Sequence, residues 1–172
     1  MKKTKTITRA HRLTQAVIFC GDLGSRISKI TKKVPKPLIK LNGITVVEHI
    51  IKNIARFGIS EILLLCGYKS ILFKKKFHNK KLFGVKIKCI NESKPLGTSG
   101  ALFNSRKLLK KYFVLCNGDT FFDINLNDLI INFFKKKEAI SFIALKKIKK
   151  NSRYDNFNIN KKNQLNFDKN LK

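Results

Sequence analysis

The stretch "QAVIFCGDLGSRISKITKKVPKP" occupies residues 15–37. Its opening, Gln15–Cys20, is short and almost continuously apolar, the pattern of a strand buried on both faces of a parallel sheet. Two glycines follow, Gly21 and Gly24. Lacking a Cβ, they let the backbone come close to a ligand, and amides in such a turn can face phosphate oxygens. Ser25 sits beside them, and Arg26 and Lys36 supply positive charge. The spacing is not that of a Walker A loop. Asp22, between the glycines, puts a negative charge where an anionic ligand would lie. The bland alternative is a glycine turn leading into a solvated basic segment.

Moving outward, similar apolar runs recur at Glu61–Cys66, Val85–Ile90, Tyr112–Cys116 and Ala139–Leu145, and each reads as a strand. Amphipathic stretches alternate with them. In "TVVEHIIKNIARFG" the residues Val46, Val47, Ile50, Ile51 and Ile54 recur at helical spacing, with Gly58 as a stop. "SGALFNSRKLLKKY" predicts a second helix, and "LNDLIINFFKKK" a third with Asn125 or Asn127 as N-cap. A shorter lysine-rich helix is expected between Gly67 and Phe83. Alternation of this kind implies an α/β fold with a mainly parallel sheet. Near the end, "NFNINKKNQLNF" reads as two short strands around a turn at Lys161–Asn163. The first fourteen residues form a basic extension without the apolar core of a signal peptide.

The 172 residues suffice for one domain with a substantial core, and 43% are hydrophobic. A formal charge of +28 invites a nucleic-acid role. The excess is spread along the chain, however, and lysine outnumbers arginine 32 to 6, whereas base-reading sites favour the arginine fork. A basic surface from AT-rich codon usage is the preferred reading, so no specific nucleic-acid partner is expected. No window approaches a membrane span. Cys20, Cys66, Cys89 and Cys116 each close an apolar run without C-x-x-C spacing, which suits buried thiols in a reducing compartment better than zinc. A cytoplasmic protein is expected, its oligomeric state open.

In open α/β sheets ligands gather at the carboxyl ends of the strands. Besides the first loop, two more leave such ends. "NESKPLGTSGAL", residues 91–102, places Gly97 and Gly100 at a helix start, with Thr98 and Ser99 available as caps. A planar base could lie on that backbone. Glu92 offers two acceptor oxygens, which suit the paired donors of guanine. "FVLCNGDTFF", residues 113–122, ends a strand in Asp119. A carboxylate there could hold Mg²⁺, a hard cation that prefers oxygen, or could be an ordinary turn aspartate. His11, His49 and His78 show no ligand spacing, and His49 reads as structural.

Taken in order, "GDLGSRI…PKP", "ESKPLGTSGAL" and "CNGD" resemble the sugar-phosphate nucleotidyltransferases, or NDP-sugar pyrophosphorylases. Within that family "PLGT", "NGDTFFDINL" and "SRYDNFNI" most resemble the branch that makes GDP-heptose, with the mannose 1-phosphate and glucose 1-phosphate branches close by. The resemblance implies a Rossmann-like nucleotidyltransferase domain of GT-A type over residues 15–172. It implies transfer of a nucleoside monophosphate, GMP from GTP, to a heptose or hexose 1-phosphate. Pyrophosphate would leave, and the NDP-sugar would serve cell-surface polysaccharide. By resemblance, Arg26 steadies the leaving phosphates and Lys36 contacts the α-phosphate or sugar phosphate. Asp119 binds Mg²⁺, Gly21, Gly24 and Ser25 shape the loop, and Glu92, Gly97 and Thr98 face the base.

Two departures stand out. Asp22 replaces a family glycine, and Lys29 replaces a usual proline. The family domain also continues past the region resembling Asn166–Asn170, so the domain is expected to lack the family's C-terminal portion, with its sugar contacts and a second metal-binding aspartate. A truncated, catalytically impaired remnant is therefore the alternative function, and a basic nucleic-acid-binding protein the third.

Overall fold

The computed structural model describes residues 13–22, 34–92, 94–146, 158–160 and 164–166. The chain divides into two compact units, residues 1–140 and 141–172.

The first unit is built on a five-stranded sheet. In chain order its strands are β1 (Gln15–Phe19), β4 (Glu61–Cys66), β5 (Lys80–Leu82), β6 (Val85–Asn91) and β7 (Val114–Asn117). Their order across the sheet is β5-β6-β4-β1-β7. β6, β4, β1 and β7 run parallel, and β5 pairs antiparallel with β6. A small hairpin, β2 (Lys40–Leu41) with β3 (Ile44–Thr45), lies between β1 and β4 in sequence. Four of the five strands expected from apolar runs are thus present.

The fifth is not. Ala139–Leu145 forms no strand, and Ile140 is 97% exposed. An apolar run becomes a strand only when a neighbour completes its ladder of hydrogen bonds. No described strand pairs with this segment.

The helices α1 (Val46–Ala55), α2 (Ser70–Phe77), α3 (Gly97–Asn104) and α4 (Leu126–Lys135) follow the strands. α1 starts where the sequence closes a capping box. Thr45 accepts from the Glu48 backbone N–H, and the Glu48 carboxylate accepts from Thr45 N at 2.7 Å. Its buried stripe of Val47, Ile50, Ile51 and Ile54 packs on Ala16, Ile18, Ile62 and Leu64 of the sheet. Phe73 and Phe77 of α2 and Leu126 and Ile130 of α4 complete that face. Asn125 caps α4 by accepting from Asn127 N at 3.1 Å, which settles the two candidate caps. On the opposite face Val17, Leu63 and Leu65 meet Ala101 of α3. β4, covered on both sides, is therefore the most buried strand.

The helix expected over residues 99–112 is interrupted. α3 ends at Asn104, and a 3₁₀ turn spans Arg106–Leu108. The Ser105 hydroxyl donates back to Leu102 O at 2.9 Å, a bond that competes with helix continuation. Farther on, buried Gln15 donates to Leu108 O at 3.0 Å and accepts from Lys110 N at 2.8 Å. A β1 side chain thus takes the backbone groups that a longer helix would have used.

In the second unit, β8 (Asn158–Ile159) pairs antiparallel with β9 (Leu165–Asn166), matching the two expected tail strands, while the expected turn at Lys161–Asn163 lies outside the described residues. Among the described residues no helix is long and apolar enough to cross a membrane.

Candidate active site

The parallel register brings four strand ends to one edge. Phe19 is level with Leu65 and Asn117, and Leu65 with Ile90. Strand order also reverses here: from β1 the chain moves out to β4 and β6, then returns to place β7 on the other side of β1. Such a reversal opens a crevice at the carboxyl edge, where α/β sheets bind their ligands. The loops beginning at Cys20, Gly67, Glu92 and Gly118 all leave this edge.

The first loop is held by backbone contacts. Cys20 N donates to Leu65 O at 2.8 Å, and Gly118 N donates to Phe19 O at 2.8 Å. A Cβ on Gly21 would lie 3.4 Å from Gly67 N and 3.5 Å from Glu92 Oε1. Gly21 and the Glu92 carboxylate, 71 residues apart in sequence, are thus brought together by the sheet. Asp22 is exposed at the end of this described segment. Gly24, Ser25, Arg26 and Lys29 lie outside the described residues.

Lys36 approaches from a 3₁₀ turn, Lys36–Leu38, stiffened by Pro35 and Pro37. Pro37 and Leu38 are buried and anchor the turn, while Lys36 extends to Asp119. Lys36 Nζ lies 2.5 Å from Asp119 Oδ2, with side chains 37% and 20% exposed. Thr120 Oγ1 donates to Asp119 Oδ1 at 3.1 Å. Partial burial pushes the Asp119 carboxyl up. Hydrogen bonding and charge from Lys36, aided by the Thr120 hydroxyl, outweigh it and hold the group below the ordinary aspartate value. Asp119 is therefore ionised at neutral pH.

The second glycine loop differs from its expected capping. Leu96, not Thr98 or Ser99, occupies the N-cap of α3, and no side chain caps it. Thr98 and Ser99 lie within the first turn, so their hydroxyls are already past the capping position. Glu92 Oε2 accepts a long bond from Leu96 N at 3.4 Å. Gly97 adopts φ +67°, a left-handed conformation that favours glycine. Gly97 and Thr98 are exposed along this loop, and Glu92 is half-buried.

His49 Nε2 lies 2.9 Å from Leu41 O, linking α1 to the β2–β3 hairpin. The thiols of Cys20, Cys66 and Cys89 are buried and that of Cys116 half-buried. All four face the α1 side of the sheet. Two glycines that sequence reasoning left without a role take part in the geometry. A Cβ on Gly118 would come within 2.7 Å of Cys20 Sγ, and Gly67 abuts Gly21. The signal for both was a glycine placed directly after a strand.

Among the described residues no three His, Cys, Asp or Glu side chains cluster to enclose an ion. What the β7 side of the site offers a cation is the ionised Asp119 carboxylate, which a hard ion would supplement with oxygens of a ligand and water.

The sequence matches the Nucleotidyl transferase family over residues 15–165. It is 39% identical over 145 residues to D-glycero-alpha-D-manno-heptose 1-phosphate guanylyltransferase of Campylobacter jejuni, covering 84% of this chain and 63% of that protein. Mannose-1-phosphate guanylyltransferase of Mycobacterium tuberculosis is 30% identical over 125 residues, covering 72% of this chain and 34% of that protein. HddC from Yersinia pseudotuberculosis, solved in complex with GMP-PN, matches with a TM-score of 0.63 and 26% identity. That match covers 70% of this chain and 54% of the other. The chain thus spans less than two thirds of the length of each of these proteins. A Rossmann-like sheet that reverses beside β1, glycine loops gathered at the reversal, and these similarities agree: the chain belongs to the Nucleotidyl transferase family.

Proposed function

We propose that the protein transfers GMP from GTP to a sugar 1-phosphate, a heptose or hexose 1-phosphate, releasing pyrophosphate and forming a GDP-sugar. The observation that carries this reading is the meeting, at one sheet edge, of Gly21 with Glu92 and of Lys36 with Asp119. The 39% identity to a heptose 1-phosphate guanylyltransferase supports the choice of nucleotide and sugar.

In this reading an oxygen of the sugar phosphate attacks the α-phosphorus of GTP. The bond to the bridging oxygen of the β-phosphate breaks, and pyrophosphate leaves with the electron pair. Protein need only position the groups in line and offset their charge. Gly21, with Gly24 and Ser25, shapes the loop against the phosphates. The Glu92 carboxylate accepts from the paired donors of guanine while Gly97 and Thr98 face the base. Lys36 contacts the α-phosphate or sugar phosphate, and Arg26 steadies the leaving phosphates. Asp119 fits Mg²⁺ as one hard, ionised donor, and the bound ion would neutralise phosphate charge. Lys36 Nζ keeps further N–H donors for a phosphate, and Asp119 Oδ1, which accepts from the Thr120 hydroxyl, keeps acceptor capacity, so both groups can take a ligand with the pair intact or by exchanging it. Such an exchange is feasible because the pair is only partly buried, so its net strength is modest.

The test is direct. Purified chain is incubated with Mg²⁺, GTP and heptose 1-phosphate or mannose 1-phosphate, and pyrophosphate is measured. Pyrophosphate that requires both substrates is expected. Its absence with every pairing of nucleoside triphosphate and sugar 1-phosphate would reject the reading.

A further inference from the structure

Gly67 follows Cys66, the last residue of β4, and stands outside the three motifs assigned to the reaction. Its backbone meets the first loop directly. A Cβ on Gly67 would lie 3.1 Å from Gly21 O and 3.2 Å from Gly21 Cα. Both distances are tighter than ordinary contact, and what stands there is backbone, which cannot swing aside as a side-chain tip does. Gly67 is not among the residues with positive φ. Its missing side chain, rather than its conformational freedom, is the property this position uses.

The geometry around it is two-sided. On the β7 side the loop is fixed by the bond from Gly118 N to Phe19 O. On the β4 side Leu65 O takes the Cys20 N–H, and one step further Gly67 meets Gly21. Glu92 joins the same contact, with Oε1 3.5 Å from the Cβ position of Gly21. Anything that lifts Gly21 from Gly67 therefore shifts it against Glu92 as well.

We propose that Gly67 is a positioning residue for the nucleotide: lacking a side chain, it lets the loop after β4 brace the Gly21 backbone and so sets where the phosphate-facing loop stands relative to Glu92. The proposal rests on the nucleotide reading given above. A methyl group at Gly67 displaces Gly21 by a few tenths of an ångström. Misplacement of 1 Å can cost about 100-fold, so a shift of about 0.3–0.5 Å corresponds to roughly 4- to 10-fold.

The test compares wild type, Gly67→Ala and Gly67→Val by calorimetric titration with Mg²⁺–GTP, by thermal unfolding, and by amide NMR of the nucleotide-free chain. Expected are a GTP Kd raised about 4- to 10-fold by alanine and further by valine, shifted Cys20 and Gly21 amides, and an unfolding midpoint within a few degrees of wild type for alanine. In turnover, KM for GTP should rise while KM for the sugar phosphate stays. Unchanged amides together with unchanged GTP affinity in both variants would overturn the proposal. So would a loss of affinity that merely follows loss of folded protein. Wild type that binds neither GTP nor any other nucleoside triphosphate would instead reject the underlying nucleotide reading, and the proposal would fall with it.

Discussion

Asp119→Asn separates the functional from the structural worth of the ion pair at the crevice. The substitution keeps shape but turns one acceptor oxygen into an NH₂ donor and removes the charge that faces Lys36 Nζ at 2.5 Å. Two unit charges at about 4 Å attract by about 1 kcal/mol in water and about 4 kcal/mol at a protein surface. With Lys36 37% and Asp119 20% exposed, solvent screening and the cost of ordering both side chains bring the net toward 1 kcal/mol or less. Urea unfolding should therefore lose only about 1 kcal/mol. Turnover should fall far more. Asp119 would hold the ion that offsets phosphate charge, and loss of one such preorganised electrostatic element costs on the order of 100- to 1,000-fold, equivalent to roughly 3–4 kcal/mol. The pH dependence has a definite sign. Asp119 is held below its unfolded value, so its contribution to stability is present above the ordinary aspartate range near 4 and is lost as pH falls through the lower folded value. The Asn variant should lack that acid-side decline. The assays are pyrophosphate release from GTP plus sugar phosphate, and urea unfolding at pH 7 and below pH 4. A variant that keeps full turnover, or one whose turnover falls only as much as its folded fraction, would refute the reasoning.

Asp22→Gly should tighten GTP binding about ten-fold, because a unit charge near phosphate costs about 1 kcal/mol or more even in water; equal affinity by calorimetry would show that the Asp22 carboxylate faces away from the nucleotide. Gln15→Leu should cost about 1–3 kcal/mol in urea unfolding, since two hydrogen bonds worth about 0.5–1.5 kcal/mol each are lost, while Leu108 O and Lys110 N, on exposed residues, can turn to water. Thiol labelling at pH 8 should be slow in the native chain and complete in denaturant. Cys20, Cys66 and Cys89 are buried, and burial pushes the Cys116 thiol up to about 12, leaving little thiolate. Rapid labelling of Cys116 would contradict that environment.

β1 and β4 were legible because each carries consecutive apolar residues that the sheet buries on both faces; β6 instead alternates, with Val85, Ile87 and Cys89 buried between exposed lysines, and β7 is a short apolar run that is only half-buried. Ala139–Leu145 has the same composition, but pairing depends on a neighbour, which no local pattern records. The helix predicted over residues 99–112 failed for a similar reason: Gln15, 93 residues from Leu108, takes its backbone groups. At the site, the order of the motifs pointed to Lys36 and Asp119, yet their contact across 83 residues exists only once β7 returns beside β1. Thr98 and Ser99 looked like caps because caps are read by residue type, whereas the actual helix start was set by Gly97 at positive φ. Gly67 carried only the signal of a glycine directly after a strand; that it braces Gly21 depends on a neighbour that only the fold supplies.

The central claim is that the loops after β1, β6 and β7 serve one nucleotide. An amide NMR titration of the full chain with Mg²⁺–GTP tests this most directly. Gly21, Gly97 and Gly118 should shift together and saturate at a single GTP concentration. Saturating shifts that appear only away from these three glycines, or that report separate affinities for the three loops, would contradict it.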